Sequence, residues 1–306
     1  MNKKINLSVG IPAYNEEANI GNLLKSILSQ RNDSFILLEI IVISDCSNDN
    51  TMKIVKKFSD KKIRKFENDK RIGQAATQNK IIDLFKGDFL VILESDTIPA
   101  GKYFLQNLIK PLVNDKSKNI GIAYGFGIPL KPNNFFEKIM YFKTELKNNL
   151  LMENNEYFNH DASGLNGRAF SRKFIEKMTW NLNLPEDSYV YLMAEKFNFK
   201  SVFVSQAKIF HRLPSNFNDY FNQYNKFISG KRALAYFFNN NEINKLSNYN
   251  IPISFRNILI LLIFLFENPI LMISYISVLT LVYFRSLNNT KFHPFLKSYL
   301  STKNLK

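Results

Sequence analysis

The chain has 306 residues, with 41 Lys and Arg against 26 Asp and Glu and a net charge of +15. That excess attracts diphosphates and anionic lipid head groups, while its spread along the chain without a helix-turn-helix, zinc-finger or RNA-binding signature argues against a nucleic-acid partner. A single cysteine, Cys46, excludes an internal disulfide framework and suits the cytosol.

Met1-Asn2-Lys3-Lys4 leads directly into a β-branched apolar run, Ile5 to Ile11, so no N-terminal signal peptide is expected. After a turn, Ile20, Leu23, Leu24, Ile27 and Leu28 fall at helical spacing. A strand from Leu38 to Ser44 follows, then a helix with apolar Ile54, Val55 and Phe58, and a short strand from Ile63 to Phe66. A third helix runs from about Gly73 to Phe85, where Gly87 breaks it before the apolar strand that begins at Phe89. This alternation predicts an α/β fold with a mainly parallel sheet covered on both faces, whose ligands sit beyond the carboxyl ends of the strands.

The polar residues gather at those ends. The first strand finishes in Pro12-Ala13-Tyr14-Asn15-Glu16-Glu17, the second in Ser44-Asp45-Cys46-Ser47-Asn48-Asp49, and the fourth in Glu94-Ser95-Asp96. Asn15 and Asp49 read as caps of the helices that follow. Asp45 precedes the cap position, where an aspartate can accept from the N–H of a base. A strand ending in Glu-x-Asp supplies hard oxygen ligands, which suit Mg2+ or Mn2+ together with the oxygens of a bound phosphate.

The runs VGIPAYNEEANI (Val9 to Ile20), IVISDCSNDNT (Ile41 to Thr51), RIGQAATQN (Arg71 to Asn79) and Leu93-Glu94-Ser95-Asp96 together resemble the family 2 glycosyltransferases, whose catalytic domain has the Rossmann-like GT-A fold. The resemblance implies a nucleotide-sugar across the strand ends, with Pro12, Ala13 and Tyr14 beside the nucleoside, Glu16 near the ribose and Asp45 on the base. It adds Gly73, Gln74, Glu94 and Ser95 to the nucleotide-sugar-binding set and makes Asp96 the metal-binding aspartate. Glu94 stands where the family usually has aspartate, and Gln74 where a lysine is common.

In the second half, Gly164 to Phe170 resembles the family's glycine-rich strand before a helix. Leu184-Pro185-Glu186-Asp187 resembles its Glu-Asp element, in which the aspartate is the general base; the other reading of these acids is a helix start favoured by the dipole. An inverting transfer needs such a carboxylate to take the acceptor hydroxyl proton, and Asp187 is the candidate. His211, in AKIFHRLPS, resembles the histidine that GT-A enzymes give to the metal, with a polar loop residue as the alternative. His160 beside Asp161 reads as a loop pair. Gln223-Tyr224-Asn225-Lys226-Phe227 resembles the Gln-x-x-Arg-Trp element of processive members with both defining positions changed; an amphipathic helix with Phe221, Tyr224 and Phe227 inward fits it equally. A helix pattern from Phe135 to Leu151 precedes the acceptor half.

From Ile251 to Phe284 apolar residues predominate, and Glu267, Asn268 and Pro269 divide the segment. A membrane span takes roughly 20 residues, so the segment is too long for one straight span and short for two. Arg256 near its start and Arg285, Lys291, Lys297, Lys303 and Lys306 after it favour both ends on the cytoplasmic face, as a bent hairpin. A buried helical pair is the alternative.

These readings place a GT-A catalytic domain in residues 1–238, a linker in 239–250 and a membrane-associated helical region with a basic tail in 251–306. The expected activity is an inverting, metal-dependent transfer from a nucleoside-diphosphate sugar, UDP-sugar favoured, to a hydroxyl of a lipid-linked saccharide or surface glycan. The catalytic domain would be cytoplasmic, at the inner membrane. A hydrophobic segment this short argues against a processive polysaccharide channel. A nucleotidyltransferase of similar fold, or a non-catalytic membrane-bound nucleotide-binding scaffold, are the alternatives.

Overall fold

The computed structural model describes residues 5–31, 33–151, 167–245, 254–286 and 305. His160, Asp161, Gly164 to Asn166 and the basic tail residues from Lys291 to Lys303 lie outside them. The chain divides into two compact units: Met1–Ile128 with Ser163–His211 and Lys303–Lys306, and Pro129–Ala162 with Arg212–Thr302.

The first unit is built on an eight-stranded sheet in the order β3-β2-β1-β4-β7-β6-β8-β5. Its opening half follows the hydrophobic periods of the sequence: β1 (Ile5–Ala13), α1 (Ile20–Leu28), β2 (Phe35–Ser44), α2 (Thr51–Lys56), β3 (Ile63–Glu67), α3 (Gln74–Leu84) and β4 (Phe89–Ile92). Strands β3, β2, β1 and β4 are parallel. Helix α1 buries Ile20, Leu23, Leu24 and Ile27, its predicted stripe. Helix α3 rests on β1 where Gly10 leaves room: a Cβ there would lie 2.4 Å from Ile81 Cγ2.

Beyond β4 the sheet turns antiparallel. After β5 (Thr97–Pro99), α4 (Phe104–Asn114) and β6 (Ile120–Pro129), strand β7 (Arg168–Ser171) pairs antiparallel with both β4 and β6. A short helix α6 (Arg172–Ile175) and α7 (Glu186–Lys196) lead to β8 (Lys200–His211), which pairs antiparallel with β5. Phe170, Phe174 and Trp180 form a fully buried aromatic cluster under α7.

The second unit is helical: α5 (Phe135–Leu151), α8 (Phe217–Leu234), α9 (Asn240–Lys245), α10 (Phe255–Glu267) and α11 (Pro269–Ser286). Its core joins Ile139 and Met140 of α5 to Tyr220 and Phe221 of α8 and to Val278 and Val282 of α11. Phe142, Leu146 and Leu150 meet Met272, with the Phe142 and Phe264 rings 5.4 Å apart. A buried Arg212–Glu137 ion pair of 3.2 Å fixes the start of α5. Helix α9, with Ile243 buried, occupies part of the stretch read as a linker. On α8 the inward residues are Tyr220 and Phe221, whereas Phe227 is 42% exposed and does not face inward as expected. The apolar C-terminal segment breaks at Asn268, between α10 and α11, as Glu267 and Pro269 predict. Phe266, Ile270, Ile273, Ile276 and Phe284 are exposed on these two helices.

Candidate active site

Three parallel strands deliver acidic residues to one edge, and each is held differently. Asp45, just past β2, is buried, and its carboxylate accepts from Asn68 Nδ2 (2.9 Å), Ile72 N–H (2.8 Å) and Gly73 N–H (2.8 Å). It thereby shapes the loop that opens α3, where Gly73 takes φ 88°, a value suited to glycine. The residue expected to face a base thus already binds the chain's own donors, which occupy three of about four lone-pair sites.

Pro12 and Ala13 end β1 in the sheet. Tyr14 is half-buried, with the Arg71 guanidinium 4.0 Å from its ring centre, a cation–π contact. Glu16 is buried at the entry to α1, where its carboxylate accepts from Asn19 Nδ2 at 3.0 Å. Asn15 does not cap α1, contrary to expectation. With φ 53°, it accepts from Asn48 N–H and donates its own N–H to Ser47, tying the β1 and β2 loops together. Asp49 does act at the start of α2, accepting from Thr51 N–H at 2.9 Å.

Glu94 follows β4 in a turn closed by Thr97, whose N–H and hydroxyl donate to the Glu94 carbonyl. Its carboxylate accepts from Gln74 Nε2 at 2.9 and 2.8 Å and from Arg168 at 3.2 Å. Burial pushes the Glu94 carboxyl up to about 8, against the pull of Arg168 and with help from the nearby acids Asp187, Asp96 and Glu186. Ser95 beside it is buried and Asp96 half-buried.

Arg168, absent from the set drawn from sequence, is the hub of this edge. Strand β7 runs antiparallel to β4, so its first residue pairs with Ile92, near the end of β4. The guanidinium contacts both Asp187 and Glu94 and is 4% exposed. Burial works against its charge, but Asp187, Glu94 and Glu186 outweigh that and hold it above its ordinary value. The signal was a lone basic residue after a glycine in an otherwise small and apolar strand.

Asp187 lies in the first turn of α7, so the helix-start reading of the acidic pair also describes its position. The start of α7 is pinned by Trp180, whose indole N–H donates to the Glu186 carbonyl at 3.1 Å. Asn79 of α3 in turn makes two hydrogen bonds with the Trp180 backbone. The Asp187 side chain is 31% exposed and reaches the Arg168 guanidinium.

His211 closes β8, where its Cα pairs with that of Thr97, the residue after Asp96. Its Nδ1 is buried without a hydrogen-bond partner, and burial pushes the imidazole down to about 4, leaving it neutral. A neutral imidazole with an unengaged nitrogen is a competent metal ligand. Among the described residues no group of three or more His, Cys, Asp and Glu side chains could hold an ion alone. By donor chemistry, the Asp96 carboxylate and the neutral His211 imidazole suit a divalent ion that takes its remaining ligands from a bound diphosphate or water, as Mg2+ commonly does.

Residues 8–178 match the family described as Glycosyl transferase family 2. A UDP-Glc:alpha-D-GlcNAc-diphosphoundecaprenol beta-1,3-glucosyltransferase of Escherichia coli is 31% identical over 119 residues, covering 39% of this chain and 44% of that one. A poly(ribitol-phosphate) beta-N-acetylglucosaminyltransferase of Staphylococcus aureus is 25% identical over 206 residues, 60% of this chain and 35% of that one. The chain thus spans less than half the length of either relative. Among solved structures, a mannosyltransferase from Pyrobaculum calidifontis in complex with GDP-Man and Mn2+ superposes with a TM-score of 0.66 at 15% identity, covering 95% of this chain and 89% of that one. A glucosyl-3-phosphoglycerate synthase from Mycobacterium tuberculosis, in complex with Mn2+, UDP and phosphoglyceric acid, gives 0.50 at 18% identity over 76% of this chain and 78% of that one. At these identities the structural likeness shows the GT-A fold.

Proposed function

Because the chain belongs to glycosyltransferase family 2, we propose that it is an inverting, metal-dependent transferase that moves a sugar from a nucleoside-diphosphate donor to a hydroxyl. The observation that carries the reading is the convergence of Glu94, Arg168 and Asp187, joined through one guanidinium, at the carboxyl edge of the parallel strands. In such sheets that edge is where ligands bind.

Asp187 takes the proton of the acceptor hydroxyl as its oxygen attacks the anomeric carbon from the face opposite the leaving diphosphate. Tyr14, Gly73, Gln74, Glu94 and Ser95 line the donor side, with Pro12, Ala13, Glu16 and Asp45 supporting the loops beneath it. Asp96 and His211 would hold Mg2+ or Mn2+. Such an ion, when bound, neutralises charge growing on the departing diphosphate.

A uridine diphosphate sugar is the favoured donor and a lipid-linked saccharide or surface glycan the favoured acceptor; the Escherichia coli relative is named for both a UDP-sugar and a diphosphoundecaprenol acceptor. The exposed apolar faces of α10 and α11 support the reading that the protein sits at the inner membrane, with the catalytic unit on the cytoplasmic side. Only α11 is long and apolar enough to cross a bilayer, among the described residues and by length and composition alone.

The test is a thermal-shift screen of detergent-solubilised protein against UDP, GDP, CDP, TDP and their sugars, with and without Mn2+. A ligand at 100 times its Kd stabilises by about 2.7 kcal/mol, so a metal-dependent rise with one nucleoside diphosphate is expected and identifies the base. No shift with any of them would sink the reading. Asp187→Asn should keep the donor shift and lose transfer.

A further inference from the structure

Arg168 is placed by backbone pairing rather than by a flexible loop. It opens β7, opposite Ile92 of β4 on one side and Tyr124 of β6 on the other, so both ladders fix its Cα. Before it, Gly167 takes φ 62°, and a Cβ there would lie 2.8 Å from Leu93 Cδ2. From this rigid origin its two terminal nitrogens go to different carboxylates: Nη1 to Asp187 Oδ1 and Nη2 to Glu94 Oε1. Glu94 is already anchored by Gln74, and Asp187 by the pinned start of α7.

We propose that Arg168 is a positioning residue for transfer, holding one oxygen of Asp187 so that the other is presented to the acceptor hydroxyl. The inference rests on the reading of Asp187 as the base. A planar guanidinium can hold two carboxylates in fixed mutual geometry, which an ammonium on a flexible stem cannot do. Packing alone does not call for it, since replacing a buried ion pair with well-packed apolar groups is often neutral or stabilising. The clamp also ties donor and acceptor sides together: the same guanidinium that orients the base reaches Glu94, which lines the donor side.

The test is a double-mutant cycle on Arg168→Lys and Asp187→Asn. It uses the nucleotide-sugar that stabilises the wild-type chain in the presence of Mn2+, with water as acceptor, and follows release of the nucleoside diphosphate. Arg168→Lys should lower kcat about a hundredfold, the scale of a small misplacement of a catalytic group. Donor KM should stay within about threefold, because Gln74 still holds Glu94. The double variant should be no slower than Asp187→Asn alone, since residues acting as one unit are non-additive.

A wild-type kcat in Arg168→Lys, a loss confined to KM, or losses that multiply in the double variant would overturn the proposal. A wild-type rate in Asp187→Asn would instead remove the base assignment itself, and the proposal with it. If Arg168→Lys fails to fold, Arg168→Gln, which removes the cation and leaves a planar hydrogen-bonding amide while Glu94 is untouched, carries the same comparison.

Discussion

Asp45 accepts three hydrogen bonds while buried, and two of its donors are backbone N–H groups, of Ile72 and Gly73, in the loop before α3. Asp45→Asn turns one acceptor oxygen into an N–H2 that faces those donors. Leaving a buried donor unsatisfied costs about 1–3 kcal/mol, so urea unfolding should show a loss of that size, and a variant of wild-type stability would show that the loop does not depend on the carboxylate. Glu94 illustrates a different use of side-chain length. Its longer arm reaches both Gln74 and Arg168, so the two departures from the family pattern, Glu for Asp and Gln for Lys, meet in one hydrogen-bonded pair.

Among the elements, α10 and α11 present the sharpest contrast between their two sides. Val278 and Val282 pack against α5 and α8, while Ile273 and Ile276 are 62% and 54% exposed. An apolar surface of this kind marks a contact with another phase or partner. Ile273→Asp with Ile276→Asp should leave the fold intact and sharply reduce co-sedimentation with phosphatidylglycerol vesicles, because both side chains already lie outside the protein core. Undiminished co-sedimentation would take these helices out of membrane binding. Arg285, at the end of α11, stacks 4.3 Å from the Phe221 ring centre and donates to Asn218, which holds that end of the helix to α8.

For the molecule as a whole, the net charge of +15 favours anionic partners in general and does not choose among them. On the proposed reading the choice falls to the metal: Asp96 and His211 would be two ligands of a site that a diphosphate completes, so EDTA should abolish the nucleotide-dependent rise in melting temperature. Asp96→Ala should do the same in the presence of Mn2+. A nucleotide shift that survives both would exclude the ion from donor binding.

The sequence by itself determined the parallel half of the sheet, since the periods that place Ile20, Leu23, Leu24 and Ile27 on one face, and the apolar runs of β1, β2 and β4, are local patterns that burial enforces. It also located the break near Asn268, because Pro269 cannot continue a helix begun before it, and it drew Asp45, Glu94, Asp96 and Asp187 as a candidate set from motifs alone. Only the tertiary structure decided that β7 runs antiparallel, since direction depends on the pairing partner and not on any pattern within four residues. That reversal brings Arg168, the first residue of its strand, to the edge where the parallel strands end. Loop-to-loop bonds such as Asn15 to Asn48 were equally illegible, because a cap and a cross-loop tie draw on the same residue types. The grouping of α5 and α8 with α10 and α11 was hidden for a related reason: an amphipathic helix states that one face is covered, and only packing states by what.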